Sequence, residues 1–112
     1  MADKQNTDYS NYLLSKIKRA ILEVEPEAEI YLFGSRSRGD YYEDSDWDIL
    51  IILPGKITFT RRFAITDKTF QIEIDENELL NRIYYSQTEW YNDRFVHATP
   101  FYKNVRKDGL LL

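Results

Sequence analysis

The chain has 112 residues, 43% of them hydrophobic and 30% charged, values that are ordinary for a single globular domain. It has no apolar run that approaches the roughly 20 residues needed to span a membrane. The absence of cysteine excludes disulfides, thiolate metal sites and a cysteine nucleophile, and the net charge of −4 argues against a protein that coats nucleic acid through its overall field. We therefore expect a single domain over residues 1–112. The polar N-terminal residues show no secretory pattern, so we expect a cytoplasmic protein.

The first predicted elements are a helix and a short strand. Apolar residues recur at steps of three and four over residues 9–24, which predicts an amphipathic helix that ends before Pro26. Residues 28–33 follow as a predicted strand. After Gly34 and Ser35 comes a polar segment that extends to Ser45, where we expect a short helix and a loop.

The next segment predicts a central strand. Residues 46–53 (DWDILIIL) are apolar at every position from Ile49 onward, a pattern typical of a strand that is covered on both faces of a sheet.

Residues 57–76 allow two interpretations. Their apolar residues alternate as in a hairpin with its turn at Asp67 and Lys68. A helix is equally compatible, because four of the apolar residues are spaced by four, seven and four: Phe59, Phe63, Phe70 and Ile74. Periodicity alone does not separate the two interpretations.

The last third of the chain predicts a strand and two helices. Residues 78–85 are predicted to form a strand. Ser86 and Glu89 form a capping box that opens a helix, since their side chains can bind each other's backbone amides. A final short helix opens at Thr99-Pro100 and closes at Gly109, as expected for proline at a helix start and glycine at its end.

Asp46 and Asp48 are the main candidates for metal binding. Alternate residues of a strand face the same side, so these two carboxylates point to one spot while Trp47 points to the opposite face. They are part of an acidic run whose members are Asp40, Glu43, Asp44, Asp46 and Asp48. Two Mg²⁺ ions suit such a site, because Mg²⁺ prefers oxygen ligands and the segment offers neither histidine nor cysteine.

The Gly-Ser turn before this strand is a candidate phosphate site. Gly34 allows a phosphate to approach the backbone, and Ser35 supplies a small hydroxyl group. Arg36 and Arg38 add positive charge beside amides at the start of a helix. Together these four residues predict a cradle for the phosphates of a nucleotide.

A Gly-Ser turn followed about ten residues later by Asp-x-Asp resembles the nucleotidyltransferase signature of the DNA-polymerase-β-like superfamily. The segment FGSRSRGDYYEDSDWDILIIL is similar to that of minimal, stand-alone prokaryotic nucleotidyltransferases. Three later segments are similar to the tail of a compact bacterial subgroup: ITDKTFQIEIDENELL, YYSQTEW and TPFYKNVRKDGLLL. The resemblance covers most of the chain from about Ile17.

This resemblance implies an α/β (more strictly α+β) fold with a small, mixed three-stranded sheet packed with helices, and it favours a helix within residues 59–76. It implies Mg²⁺-dependent transfer of a nucleotide from a nucleoside triphosphate, with ATP the expected donor, to a hydroxyl acceptor. By it, Gly34 and Ser35 hold the phosphates with help from Arg36 and Arg38, and Asp46 and Asp48 ligate the metal. It also suggests a helical partner protein encoded alongside, as in toxin–antitoxin pairs, that receives the nucleotide.

The superfamily pattern includes a third acidic residue, and here its identity is open. Counting back from Ser86 assigns the position to Asn81, an amide that can coordinate a metal but cannot act as a base. If residues 69–75 form a strand instead of a helix, Glu73 becomes the best third acid. Two alternatives therefore stand beside the enzyme: a non-catalytic binding module of the same fold, and transfer to a small-molecule acceptor.

Overall fold

The computed structural model describes residues 7–42 and 44–112. Six helices lie in this part of the chain: α1 (Thr7–Val24), α2 (Ser35–Arg38), α3 (Phe59–Glu76), α4 (Gln87–Asn92), α5 (Arg94–His97) and α6 (Pro100–Asp108). Its strands are β1 (Glu29–Phe33), β2 (Trp47–Leu53), β3 (Leu80–Ser86) and β4 (Leu110–Leu111). Among these described residues, no helix is long and apolar enough to cross a membrane.

The strands form one mixed sheet in the order β3-β2-β1-β4. β1 and β4 are antiparallel, as are β1 and β2, whereas β2 and β3 are parallel and are joined through α3. The α+β class and the central place of β2 are thus confirmed. The sheet has four strands rather than the predicted three, because Leu110 and Leu111 pair with β1 beyond the end of α6.

β2 separates two apolar cores because its successive side chains alternate between the faces of the sheet. Trp47, Ile49 and Ile51 face a core that includes buried residues of α1 and α3. Leu50 and Ile52 face a second core with Trp90 of α4 and Val105 of α6. Asp48 has the same parity as Leu50, so it lies at the α4–α6 face where β2 begins.

Residues 59–76 form a helix, which settles the ambiguity left by their spacing. The Thr58 side chain accepts a hydrogen bond from the Arg61 amide and caps the N-terminus, and Asn77 ends the helix with a left-handed φ of 53°. Ile65, Thr69 and Ile72 are its buried residues. In this helix Phe59 and Phe63 are exposed. The hairpin interpretation, which requires strands at these positions, is wrong.

Candidate active site

Gly34 joins β1 to α2 at a point where its backbone lies very close to the side chain of Asp48 on β2. Its φ of 74° is a conformation that side-chain-bearing residues rarely adopt. A Cβ atom built on Gly34 would lie 2.2 Å from Oδ2 of Asp48. Only glycine therefore allows the turn and the carboxylate to occupy their present positions.

Asp48 lies at the start of β2, as the sequence predicts, whereas Asp46 directly precedes the strand, which begins one residue later than predicted. Asp46 is exposed just before the strand, and Asp48 is half-buried as its second residue. Trp47 points the other way and is only 1% exposed. Strand register places Asp48 between Phe33 of β1, which precedes Gly34, and Asn81 of β3. Of the acidic run around them, Glu43 lies outside the described residues.

Asn81 occupies the position beside Asp48 on the neighbouring strand. Its Nδ2 donates a hydrogen bond of 3.0 Å to Oδ1 of Asp48. The amide thus binds the carboxylate directly, at the position to which the sequence resemblance assigned a third acid. Both side chains lie where β2 and β3 begin, next to the Gly34 turn.

Glu73 lies elsewhere. It is on α3, where it forms an ion pair with Arg82 and accepts a hydrogen bond from the Leu80 amide at 3.1 Å. Its candidacy as the third acid depended on a strand over residues 69–75, and these residues are helical. Glu73 instead ties the end of α3 to the start of β3. Among the described residues, no group of three or more acidic or histidine side chains could hold a metal ion.

Arg36 is placed differently from the expected position beside a phosphate. Its guanidinium carbon lies 4.3 Å from the ring centre of Tyr41 and 4.2 Å from that of Trp47, and the residue is only 6% exposed. Its Nη2 donates a 3.0 Å hydrogen bond to the Ser45 carbonyl, directly before Asp46. Burial between two rings and this bond explain why the guanidinium does not extend into solvent. Arg36 links the Gly-Ser turn to the loop that ends at Asp46.

Arg38 and Ser35 remain accessible. The Arg38 side chain is 44% exposed and contacts the Asp40 carboxylate at 3.4 Å, a weak surface pair. Ser35 is half-buried as the first residue of α2. Of the two arginines in the turn, Arg38 is therefore the one whose charge can reach a bound anion without a rearrangement.

Sequence analysis did not identify Glu78 as part of the site's support. Glu78 is 6% exposed, accepts a 3.1 Å hydrogen bond from the Trp47 indole and accepts one of 2.9 Å from the Tyr9 hydroxyl. The pKa of Tyr9 is raised well above its usual value, mainly by burial and secondly by the hydrogen bond to Glu78, so the hydroxyl keeps its proton. A carboxylate at the first position of the predicted strand 78–85 would have been the only indication in the sequence.

These contacts predict different effects for the two arginines of the turn. We expect Arg36→Lys to lower the free energy of unfolding by roughly 1–3 kcal/mol, because an ammonium group cannot stack on two rings and reach the Ser45 carbonyl at once. Arg38→Lys is the matched control and should change it by less than about 0.5 kcal/mol. Urea unfolding of both variants measures the difference. Equal stabilities would contradict the positioning role of Arg36.

The family comparison agrees with this geometry. A family model described as a nucleotidyltransferase domain matches residues 14–108. The chain belongs to the nucleotidyltransferase domain family. It is an enzyme of the nucleotidyltransferase type, and the matched segment contains the Gly34 turn, both aspartates and Asn81.

Individual relatives of this nucleotidyltransferase support the same assignment. The chain is 32% identical to a candidate protein adenylyltransferase of Methanocaldococcus jannaschii over 110 residues, which is 98% of this chain and 96% of the relative. It is similar in structure to a candidate nucleotidyltransferase from Sulfolobus solfataricus, with a TM-score of 0.53 and 25% identity, over 89% of this chain and 76% of that one.

Two solved toxin–antitoxin complexes share the fold of this nucleotidyltransferase at lower identity. One contains AMP-PNP, and its similar chain has a TM-score of 0.60 and 19% identity, over 87% of this chain and 69% of that one. The other is a tri-AMPylated Shewanella oneidensis HEPN toxin with its MNT antitoxin, with a TM-score of 0.55 and 15% identity over 90% and 69% of the two chains.

Proposed function

We propose that this nucleotidyltransferase transfers AMP from ATP to a hydroxyl group on a helical partner protein, in a Mg²⁺-dependent reaction. The close approach of Gly34 to Asp48 carries the proposal, because it brings a phosphate-accessible turn and a carboxylate to one point. The M. jannaschii relative, described as a candidate protein adenylyltransferase, supports AMP and a protein acceptor. The AMPylated toxin bound to its antitoxin supports a partner of the toxin–antitoxin kind.

The side chains present suit Mg²⁺. Asp46 and Asp48 offer carboxylate oxygens, and Asn81 keeps its carbonyl oxygen available because its Nδ2 makes the bond to Asp48. Mg²⁺ is commonly held by one or two carboxylates together with substrate phosphates and water, so a third acid is not required. When bound, Mg²⁺ neutralises phosphate charge and stabilises the attacking and leaving oxygens.

The residues of the chain would act by binding and orienting the nucleotide. The Gly34–Ser35 turn would hold the phosphates, and Arg38 would contribute positive charge from the surface. Arg36 would keep the Ser45–Asp46 segment in place through its hydrogen bond to the Ser45 carbonyl. An acceptor oxygen would then attack the α-phosphorus, the bond to the β-phosphate oxygen would break, and pyrophosphate would leave as the hydroxyl proton passes to water. Positioning and charge neutralisation would supply most of the rate.

Asn81 gives a test that separates an enzyme from a binding module. A carboxylate at this position would face Asp48 at hydrogen-bond distance, and the two charges would repel unless a cation lies between them. We expect Asn81→Asp to lower the melting temperature in EDTA, to increase the stabilisation by Mg²⁺ and to raise the rate of transfer. Asn104→Asp, which adds the same charge at an exposed position of α6, is the control.

The assay follows label from each of the four α-labelled nucleoside triphosphates onto candidate acceptors, including any helical protein encoded next to this chain. We expect label from ATP on that protein. Tight partner binding without transfer, by the parent and by Asn81→Asp alike, would favour the binding module instead.

A further inference from the structure

α3 carries an apolar stripe on the side that faces away from the core. We call its four residues the α3 stripe: Phe59, Phe63, Phe70 and Ile74. Each of the four side chains is between 55% and 72% exposed, and the rings of Phe59 and Phe63 stack with centroids 6.1 Å apart. A contiguous exposed stripe of this kind indicates an interaction surface.

The spacing of the α3 stripe is the same when it is read in either direction. The intervals of four, seven and four residues are symmetric about the midpoint between Thr66 and Asp67. An antiparallel copy of α3 therefore places Phe59 opposite Ile74 of the second copy and Phe63 opposite Phe70. Such self-complementarity is what a two-fold symmetric interface requires.

The midpoint of the sheet edge that β3 forms lies close to the midpoint of the α3 stripe. β3 is the last strand of the sheet on this side, so its outer edge can pair with another strand. A groove between α3 and β3 is lined by Phe59, Arg62, Phe63 and Thr66 on the helix and by Arg82 and Tyr84 on the strand. The midpoint of the stripe thus lies near Tyr84, one residue from the middle of Leu80–Ser86. One two-fold axis can pass through both midpoints.

General dimensions of sheets allow both contacts at once. Neighbouring strands lie about 4.8 Å apart. If each α3, as the crossover helix between β2 and β3, lies above the gap between these two strands, pairing of two β3 strands places the two α3 axes about two strand spacings, or roughly 10 Å, apart. Packed helices have interaxial distances of about 8–10 Å.

The helix dipoles also favour an antiparallel partner, because antiparallel packing places the positive N-terminal end of one α3 beside the negative C-terminal end of the other. Three of the charged residues near the ends of α3 are already paired within the chain: Arg61 with Glu25, Glu73 with Arg82 and Glu76 with Lys16. Asp67 is unfavourable, since it would lie close to its own copy at the two-fold axis.

We propose that a second copy of this chain covers the α3 stripe, through antiparallel pairing of α3 with α3 and of β3 with β3. Half-exposed aromatic and isoleucine side chains bury on the order of 100 Å² each, so the stripe contributes roughly 800 Å² over both copies. Pairing of the strand edges would bring the total above the roughly 1,000 Å² that a specific interface needs.

Sedimentation equilibrium of the full chain tests the proposal. We expect a monomer–dimer equilibrium that is at least about tenfold weaker in Phe63→Glu and Phe70→Glu, and tighter in Asp67→Asn because the repulsion at the axis is removed. Phe95→Glu is the matched control, since Phe95 is 73% exposed on α5 and should not affect the equilibrium.

Cross-linking tests the position of the two-fold axis. The chain has no cysteine of its own, so any disulfide would come from the introduced residue. In the proposed dimer, two copies of residue 67 lie about 1.5 Å apart along the helix axis, and two copies of residue 75 lie about 25 Å apart. Asp67→Cys should therefore form a disulfide-linked dimer under mild oxidation, and Asp75→Cys should not.

Several outcomes would overturn the proposal. The first is a chain that stays monomeric up to about 1 mM, and the second is a dimer that Phe63→Glu leaves intact. Equal cross-linking of both cysteine variants would exclude the two-fold arrangement. A monomeric parent whose binding to a helical partner protein is lost in Phe63→Glu would assign the α3 stripe to that partner instead.

Discussion

Asp48→Asn is expected to reduce nucleotidyl transfer at least about a hundredfold while the fold stays intact. The amide lacks the charge that holds a divalent cation, yet its oxygen can still accept the hydrogen bond from Asn81. Asp46→Asn should have a similar effect. Both variants should also lose the rise in melting temperature that Mg²⁺ gives the parent, since ligand stabilisation follows from binding to the folded state.

Asp44→Asn is the control for this prediction. Asp44 is exposed on the same loop, and its replacement removes the same charge without touching Asp48. Isothermal titration calorimetry with a non-hydrolysable triphosphate, with and without Mg²⁺, measures the binding directly. Metal-independent binding that is unchanged in Asp46→Asn and Asp48→Asn would exclude these carboxylates as metal ligands.

Gly34→Ala is expected to abolish transfer as well, for a steric reason. The added Cβ would lie 2.2 Å from Oδ2 of Asp48, so either the carboxylate or the turn must move. The positive φ adds strain of roughly 1–3 kcal/mol to any side chain at this position. Gly34→Val should be at least as damaging, because its branched side chain is larger and meets the same carboxylate.

Gly39 provides a matched control. Its φ of 86° and ψ of 4° are left-handed helical, a milder strain than that at Gly34, and a Cβ there meets no atom of the described residues within 4 Å. We expect Gly39→Ala to lower stability by about 1 kcal/mol and to leave triphosphate binding intact. Calorimetry and urea unfolding of both variants make the comparison. Equal binding by Gly34→Ala and the parent would place the phosphates elsewhere.

The backbone framework of the site could be predicted from local sequence patterns. The apolar run of β2 requires a covered central strand, and its alternation separates Trp47 from Asp48. The capping box at Ser86 and Glu89 forms as expected and opens α4. The same patterns placed Gly34 between the first strand and a short helix.

Tertiary contacts decided what local patterns could not. The spacing within residues 57–76 suited a helix or a hairpin, and burial of Ile65 and Ile72 against the sheet selected the helix. The position of Asn81 depends on the parallel register of β3 with β2, which no local pattern specifies. An arginine can bind a phosphate or stack on aromatic rings, and only the fold shows that Arg36 stacks on Tyr41 and Trp47.

The most direct test of the central claim uses two preparations of ATP, one labelled at the α-phosphorus and one at the γ-phosphorus. Each is incubated with Mg²⁺, the parent or Asp48→Asn, and a candidate acceptor, which is any helical protein encoded beside this chain. The account predicts that the acceptor takes up the α-label and gains the mass of AMP, that pyrophosphate is released, and that Asp48→Asn gives neither product. Uptake of the γ-label, or equal α-labelling by Asp48→Asn, would contradict nucleotidyl transfer at this site.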